Sequence, residues 1–273
     1  MKDDRINLVS EVNLIIINMR QKLRGTLKSI LKVLSRFAIT KHKIRIIAVS
    51  GWYGTSVVKE SLYQVLKEDF QVRRNTRDIS WDFSIPLTLL GYPDLKYGFR
   101  GWLKVIFSTI WVLIFEKSNP HIQILELDAD KREIYEYWLS ILSPEILILV
   151  NSNPSMVDVE NLLIDSISEG GLLICKPSKK KEVTGDEGRN VEVMVFDEGG
   201  DVLLKEQRLR FRDQEYEFKS IHPSFIKELM ILTIPVVNFL KLDVDTAIHK
   251  LKTFEFSNQK LSRVMERIKI HGE

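Results

Sequence analysis

The sequence predicts an α/β fold, with a mostly parallel sheet and helices on both of its faces. Four short runs rich in apolar and β-branched residues alternate with stretches of helical periodicity, at residues 44–49, 122–127, 146–150 and 172–175. Strands that alternate with helices favour a parallel sheet, because each parallel connection has to cross one face of the sheet. The chain has 273 residues, of which 44% are hydrophobic and 28% charged, and this is enough to build one sizeable core with smaller attachments.

The composition excludes several classes of protein. One cysteine, Cys175, supplies neither a disulfide framework nor a cysteine-rich zinc site. A net charge of +3 is too small to indicate nucleic acid, which we do not expect as a partner. The longest apolar run, residues 105–115, is shorter than the ~20 residues that cross a bilayer, so we expect a buried helix there. Because the mixed charges of residues 1–5 are not those of a signal peptide, we expect a cytoplasmic protein.

The first of two predicted units, residues 1–42, is a basic amphipathic helical segment, and the second comprises residues 43–273. Between Arg20 and Arg45 there are nine basic residues and no acidic one. Within residues 21–38 the apolar residues recur at helical spacing, on the side opposite most of the basic ones. This stripe has two interpretations: it packs on the chain's own core, which we favour, or it makes peripheral contact with an anionic membrane.

The last third of the sequence predicts antiparallel edge hairpins followed by helices. Three short runs alternate in polarity beyond residue 187, namely 191–196, 202–211 and 215–218. Residues 198–201, Glu-Gly-Gly-Asp, are typical of a hairpin turn between the first two runs. From residue 223 to about residue 268 the pattern is helical, and we expect Pro235 to kink the first of these helices.

The loop after the first predicted strand lies where a phosphate-binding loop belongs. Six residues connect that strand to the next helix: Gly51, Trp52, Tyr53, Gly54, Thr55 and Ser56. Free N–H groups and the dipole at a helix N-terminus favour anions at this position. A nucleotide-hydrolysing loop carries Lys before its Ser or Thr, whereas this loop carries Thr55. Ser56 retains a hydroxyl for Mg²⁺, and Glu126 ends a strand where a metal-orienting carboxylate would stand.

The same residues also have a purely structural interpretation. An ordinary βα turn can be capped by Thr55 or Ser56, and Glu126 is then an exposed or capping carboxylate. From the spacing alone, this ordinary turn is the favoured interpretation of the loop.

Four segments agree in order and spacing with the central ATPase domain of a known enzyme family. Residues 51–60 resemble its loop and helix, G-x-x-G-K-[ST]-[ST]-x-K-E, in register and without gaps. Residues 78–90 are similar to a stretch that ends in P-L-T-L-L, and residues 124–127 and 148–151 resemble strands that end in L-E and T-N. The family is the Mur ligases of peptidoglycan synthesis, in the branch that adds D-alanyl-D-alanine to UDP-N-acetylmuramoyl-tripeptide. The likeness covers roughly residues 44–151.

The resemblance implies the fold of that P-loop-type central domain, with ATP and Mg²⁺ as cofactors. The resemblance implies a vestigial nucleotide-binding site made of the six loop residues and Asn151. It implies a metal site at Ser56 and Glu126. We also expect the family's N- and C-terminal substrate-binding domains to be lacking.

The sequence departs from the family on the catalytic side. Thr55 replaces the loop Lys, the position of an expected His falls near Met156, and residues 156–168 contain no Lys for carbamylation. Removing one such charge stabiliser typically costs ~10²- to 10³-fold in rate. The stretch before P-L-T-L-L has also lost its asparagines, which are replaced at three positions by Asp78, Ser80 and Trp81.

These departures predict a degenerate Mur ligase-like protein of peptidoglycan biosynthesis. We expect a non-catalytic binding or scaffolding partner of a complete Mur ligase or another cell-wall protein, with no catalytic residues of its own and with ATP and Mg²⁺ bound weakly or lost. The alternative is an ATP-dependent Mur-type amide ligase that adds D-alanyl-D-alanine, or a nucleotide-binding protein with an altered loop. The expected location is the cytoplasm, including its membrane face.

Overall fold

A six-stranded parallel sheet forms the centre of the protein. The computed structural model describes residues 2–75, 82–93, 97–115, 120–152, 154–179 and 190–256, with side chains from Met19 onward except at Arg20 and Pro154. The strands lie in the order β2-β3-β1-β4-β5-β6. Their bounds are β1 Arg45–Ser50, β2 Val72–Arg74, β3 Ile122–Glu126, β4 Ile146–Leu149, β5 Leu172–Cys175 and β6 Glu192–Val195.

The four strands predicted from the apolar runs, β1, β3, β4 and β5, are confirmed. Their residues are almost all buried, because helices cover both faces of the sheet. Successive side chains of β1 point to opposite faces: Ile47 and Val49 belong to the core on one side, and Ile46 and Ala48 to the core on the other. The apolar runs therefore reflect burial on two sides.

The two edge strands differ from the prediction. The alternation of residues 191–196 predicts an antiparallel strand, but β6 pairs in parallel with β5, with Cys175 opposite Val195. The prediction is wrong because alternation reports only that one face of a strand is exposed, and an edge strand can show it in either direction. The other edge strand, β2, has three residues, too few for a recognisable pattern.

The antiparallel part is a separate three-stranded sheet of β7 (Val202–Lys205), β8 (Arg208–Phe211) and β9 (Gln214–Glu217). The run 202–211, predicted as one strand, is itself a hairpin that turns at Glu206, whose φ is 56°. The predicted hairpin turn at residues 198–201 is also wrong, because these residues lead from β6 into the second sheet. Next to this connection, Phe196 and Val202 form an isolated parallel bridge.

Helices cover both faces of the parallel sheet. Along the described chain they are α1 Lys2–His42, α2 Thr55–Leu66, α3 Ser84–Leu90, α4 Phe99–Phe115, α5 Arg132–Leu139, α6 Val157–Asp165, α7 Ser224–Met230, α8 Thr233–Phe239 and α9 Val244–Thr253. One face carries α2, α7, α8 and α9, and the other carries α3, α5 and α6. This layered arrangement is the predicted α/β fold.

Pro235 does not kink a helix. The first C-terminal helix, α7, has ended before it, and Pro235 is the third residue of α8. N–H groups in the first turn of a helix have no intrahelical acceptor, so a proline fits there without breaking a bond. The predicted single kinked helix is therefore two short helices.

The apolar stripe of α1 packs on the protein's own core, which is the interpretation favoured from the sequence. Leu31 is fully buried in a cluster with Phe83. Beside it, the carboxylate of Asp82 forms ion pairs with Arg24, at 2.9 Å, and with Lys28, at 2.6 Å. These contacts attach the middle of α1 to the start of α3.

The apolar helix α4 is not buried as predicted. Of its residues only Val105, Thr109 and Leu113 are buried, and Trp111 is 64% exposed. The prediction for residues 105–115 is wrong because apolar composition gives a tendency to leave water, whereas burial also needs a neighbouring element. Among the helices that the structure describes, none combines the length and the apolarity needed to cross a membrane.

Candidate functional site

The predicted loop leaves β1 at the carboxyl edge of the sheet and ends at Thr55, the first residue of α2. Its two glycines are required by the geometry. Gly51 and Gly54 have φ values of 148° and 81°, which residues with a side chain rarely adopt. A Cβ on Gly54 would also lie 2.7 Å from Cδ1 of Leu229 in α7. The tight strand–loop–helix turn is therefore present where the sequence predicts it.

Asn151 closes this loop from the neighbouring strand. It follows β4, which pairs with β1, and its Oδ1 accepts hydrogen bonds from the backbone N–H groups of Trp52, at 2.6 Å, and Tyr53, at 3.2 Å. Its Nδ2 donates to the carbonyl oxygen of Tyr53 at 2.7 Å. Backbone N–H groups of such a loop are the groups that hold a phosphate. In this loop two of these N–H groups already donate to the side-chain amide of Asn151.

Glu126 lies beneath the loop at the end of β3, opposite Val49 of β1, and is 5% exposed. Its carboxylate receives three side chains from the first turns of α2. Ser56 Oγ lies 2.8 Å from Oε1 and 3.1 Å from Oε2, Thr55 Oγ1 donates to Oε1, and Lys59 Nζ forms an ion pair with Oε2. Glu126 is thus not the exposed carboxylate of the structural interpretation.

Lys59 neutralises the charge of Glu126 within the interior. Their side chains are 3% and 4% exposed. Burial by itself raises the pKa of the Glu126 carboxyl, but the Lys59 ammonium and the hydrogen bonds from Thr55 and Ser56 outweigh it and hold the pKa below its ordinary value. The carboxyl is therefore ionised at neutral pH, and the buried cluster has no net charge.

Lys59 and Asn75 belong to the site although neither is predicted as a site residue; Lys59 matches the Lys of the K-E pair in the motif that residues 51–60 resemble. Asn75 follows β2; its Nδ2 donates to the carbonyl oxygen of Glu126 at 3.0 Å, and its Oδ1 accepts from the N–H of Glu126 at 2.9 Å. These two bonds fix the backbone that carries the carboxylate. A feature of the sequence could have indicated each of them. Lys59 lies four residues after Thr55 on the same helical face, and Asn75 is a polar residue directly after a strand.

The cluster does not fit Mg²⁺ as it stands. Magnesium needs several oxygen ligands in near-octahedral positions. Both carboxylate oxygens of Glu126 already accept hydrogen bonds, and the ammonium of Lys59 is a competing cation. Within the described ranges there is no group of three or more His, Cys, Asp or Glu residues placed to hold a metal. The metal site at Ser56 and Glu126 stays a prediction, and a metal ion there would compete with Lys59 for the carboxylate.

A cavity of about 460 Å³ adjoins the loop at Tyr53 and Asn151. Among the described residues, the charged ones that line it are Lys176, Lys205, Asp197, Glu198 and Glu228. Lys176 and Asp197 are 3.8 Å apart and partly offset each other. Two ammonium groups beside three carboxylates do not favour a polyanion such as ATP. The cavity has room for a ligand, but its charge does not match a triphosphate.

Comparison with known proteins gives a likeness of fold and no match of sequence. No protein-family model matches the chain, and no curated protein matches it either. The solved structure of MurF from Acinetobacter baumannii superposes with a TM-score of 0.66 at 15% identity, over 85% of this chain and 51% of that one. The MurF ligase from Thermotoga maritima, solved in complex with ADP, gives a TM-score of 0.63 at 17% identity, over 84% and 53%.

A third structure extends the likeness beyond MurF. The UDP-N-acetylmuramate:L-alanyl-gamma-D-glutamyl-meso-diaminopimelate ligase from Neisseria meningitides matches with a TM-score of 0.55 at 16% identity, over 84% of this chain and 71% of that one. The protein therefore has a Mur ligase-like α/β fold, which confirms the fold implied by the four sequence segments. It spans about half the length of the MurF chains that it matches, 51% and 53%.

Proposed function

We propose that this protein is a degenerate Mur ligase-like protein of peptidoglycan biosynthesis that binds or scaffolds a partner and does not form amide bonds itself. The closed loop carries the proposal: Asn151 holds two of its N–H groups, and Lys59 neutralises the carboxylate of Glu126. The partner is a complete Mur ligase or another cell-wall protein, met in the cytoplasm or at its membrane face. ATP and Mg²⁺ are bound weakly or not at all.

The free energy needed to open the site would weaken the binding of any ligand that requires an open site. Mg²⁺ at Glu126 would have to displace the Lys59 ammonium, and a buried charge left without a partner carries a penalty of about 3–5 kcal/mol. Since about 1.4 kcal/mol is a tenfold change in affinity, such a penalty lowers the affinity for Mg²⁺ by roughly a hundredfold to a few thousandfold. Thr55 in place of the loop Lys removes a further charge stabiliser, for which ~10²- to 10³-fold in rate is typical. These losses act in the same direction.

The test measures nucleotide binding and ligase activity on the full chain. Mg²⁺–ATP is titrated into the protein by calorimetry, and ADP release is assayed with UDP-N-acetylmuramoyl-tripeptide and D-alanyl-D-alanine. We expect no detectable binding at millimolar ATP and no release of ADP. In the Asn151→Ala variant the N–H groups of Trp52 and Tyr53 are released, so we expect weak phosphate-dependent binding to become measurable there. Ser56→Ala is the matched control, because it removes a hydroxyl of the site and leaves the loop closed.

The alternative is an ATP-dependent ligase that adds D-alanyl-D-alanine, or a nucleotide-binding protein with an altered loop. One observation favours it: Lys59 places an ammonium group one helical turn from Thr55, so a rotation of that side chain away from Glu126 would bring a cation towards the loop. ADP release that depends on both substrates would establish the ligase. Micromolar ATP binding that is weakened in Ser56→Ala would establish the nucleotide-binding protein, and either result would overturn the proposal.

A further inference from the structure

The helix α4 presents an apolar face that no element in the described part of the chain covers. Seven large apolar residues are exposed on it: Phe99, Leu103, Phe107, Ile110, Trp111, Ile114 and Phe115. They lie on the side of the helix away from the buried stripe of Val105, Thr109 and Leu113. Exposed apolar surface of this extent marks a site of interaction in soluble proteins.

This apolar face continues onto α1. A groove of about 410 Å³ separates the two helices, and its apolar lining comes from both: Leu23, Leu27 and Ile30, with Phe99, Trp102 and Leu103. Leu23 is 61% exposed, and Phe37, fourteen residues further on the same face of α1, is 53% exposed. We call the seven exposed residues of α4, together with Leu23 and Phe37, the apolar flank.

Among the residues that the structure describes, the charges on the two helices of the apolar flank are mostly positive. Arg100 and Lys104 are exposed on α4, whose sequence contains no acidic residue. From Arg20 to its end at His42, the neighbouring helix α1 carries seven Lys or Arg residues and no acidic one. Asp82 forms ion pairs with two of these basic residues, Arg24 and Lys28. In the described part of the chain the flank therefore combines aromatic and aliphatic side chains with an excess of positive charge.

We propose that the apolar flank is a docking surface for an anionic lipid bilayer. A large apolar face with aromatic side chains and Lys or Arg at its border is the composition of helices that lie in the membrane interface. Trp111 and the phenylalanines suit the headgroup boundary, and Lys104 can extend its ammonium to the lipid phosphates. A second copy of the chain is a poorer occupant, because it would bring like charges on α1 and α4 together.

The structure changes which residues would contact the membrane. In the sequence, the apolar stripe of residues 21–38 is the candidate, but its central residues, such as Leu31, are buried against α3 and α4. The contact falls instead on α4 and on the two exposed residues at the side of α1. This inference is independent of the proposed function, because it holds whether or not the loop binds a nucleotide.

The test is cosedimentation of the full chain with vesicles of phosphatidylcholine, with and without about 30% phosphatidylglycerol, at low and high salt. We expect binding to the anionic vesicles that falls about tenfold or more at about 0.5 M NaCl, since screening weakens surface charge. Phe107→Glu should lower binding about tenfold or more, and Lys104→Gln about fivefold. Ile221→Glu is the matched control: Ile221 is 76% exposed, lies outside the flank, and should leave binding unchanged.

Three results would overturn the inference. The first is absence of binding to anionic vesicles at low salt. The second is equal binding by the Phe107→Glu and Ile221→Glu variants, with circular dichroism showing both folded. The third is a wild-type dimer in sedimentation equilibrium that Phe107→Glu dissociates while vesicles are not bound, because the flank would then be covered by a second copy.

Discussion

The loop region and the apolar flank differ in where their side chains find partners. Around the loop, Glu126, Lys59 and Asn151 bond to groups inside the protein and are buried or half-buried. On the flank, Phe107 and Trp111 are 67% and 64% exposed to water. The loop region is packed like a core, and the flank has residues typical of a core at the surface.

This contrast shows that the fold alone does not decide whether the loop region is open to a ligand. The loop geometry is explained by the folding of the chain itself, because its polar groups satisfy one another. The exposed apolar surface of the flank is not explained by folding, since no element in the described part of the chain covers much of α4. The loop and the flank therefore call for different experiments.

Removing Lys59 should disrupt the loop region most. Lys59→Met leaves the Glu126 carboxylate buried without its counter-ion, and we expect the free energy of unfolding to fall by about 3–5 kcal/mol in urea at neutral pH. The double variant Lys59→Met/Glu126→Leu replaces both charges with apolar groups and should recover most of that loss. A loss under about 1 kcal/mol for the single variant, as for a surface pair, would mean that water reaches the site and that it is open.

Gly54→Ala tests the tight turn. The positive φ of Gly54 and the 2.7 Å approach of Leu229 to its Cβ position predict a loss of about 1–2 kcal/mol in the free energy of unfolding. Gly25→Ala is the control: a Cβ on Gly25 meets no atom within 4 Å, and alanine in a helix should stabilise the protein by about 0.5–1 kcal/mol. If both variants changed the free energy of unfolding in the same direction, the loop would not be held in the turn described.

Asp82→Asn tests the ion pairs that attach α1 to the start of α3. Because Leu23 and Phe37 of the apolar flank lie on α1, it also tests what holds that part of the flank in place. We expect a loss of about 1 kcal/mol, because the Asp82 side chain is 8% exposed while its partners Arg24 and Lys28 are 56% and 29% exposed. Hydrogen exchange in α1 should become faster while that in β1 stays unchanged. The matched control is Glu136→Gln, which breaks an exposed pair at 2.8 Å and should have about a third of the effect. Equal effects would contradict the attachment.

The pH dependence of the free energy of unfolding should also report the buried pair of Glu126 and Lys59, with the smallest effect of these experiments. The pKa of Glu126 is below its ordinary 4.5 in the folded state, because Lys59 and the two hydroxyls outweigh burial. The unfolded chain therefore takes up its proton first, so this stabilisation is complete above about pH 4.5 and is lost as the pH falls through the lower folded pKa. Unfolding measured from neutral to acidic pH should show a steeper loss for the wild type than for Lys59→Met/Glu126→Leu. Parallel curves would exclude the buried pair as the cause.

The position of the loop could be predicted because its causes are local. Gly51 and Gly54 permit a turn that other residues resist, and the runs on either side have the periodicity of a strand and a helix. The closing bonds could not be predicted in the same way. Asn151 reaches Trp52 across 99 residues and Ser56 reaches Glu126 across 70. Nothing in either local pattern indicates which of several possible partners a polar side chain will meet.

Three features follow from the amino-acid sequence alone, because each depends on neighbours in the chain: the alternation of strands and helices, the glycine-bearing turn and the positive charge of α1. Three others follow from the packing of the chain: β6 runs parallel, Lys59 pairs with Glu126, and α4 remains exposed. Strand direction, charge pairing and burial are relations between segments distant in sequence. They are fixed when those segments pack, and the apolar pattern of one segment is the same whether another element covers it or water does.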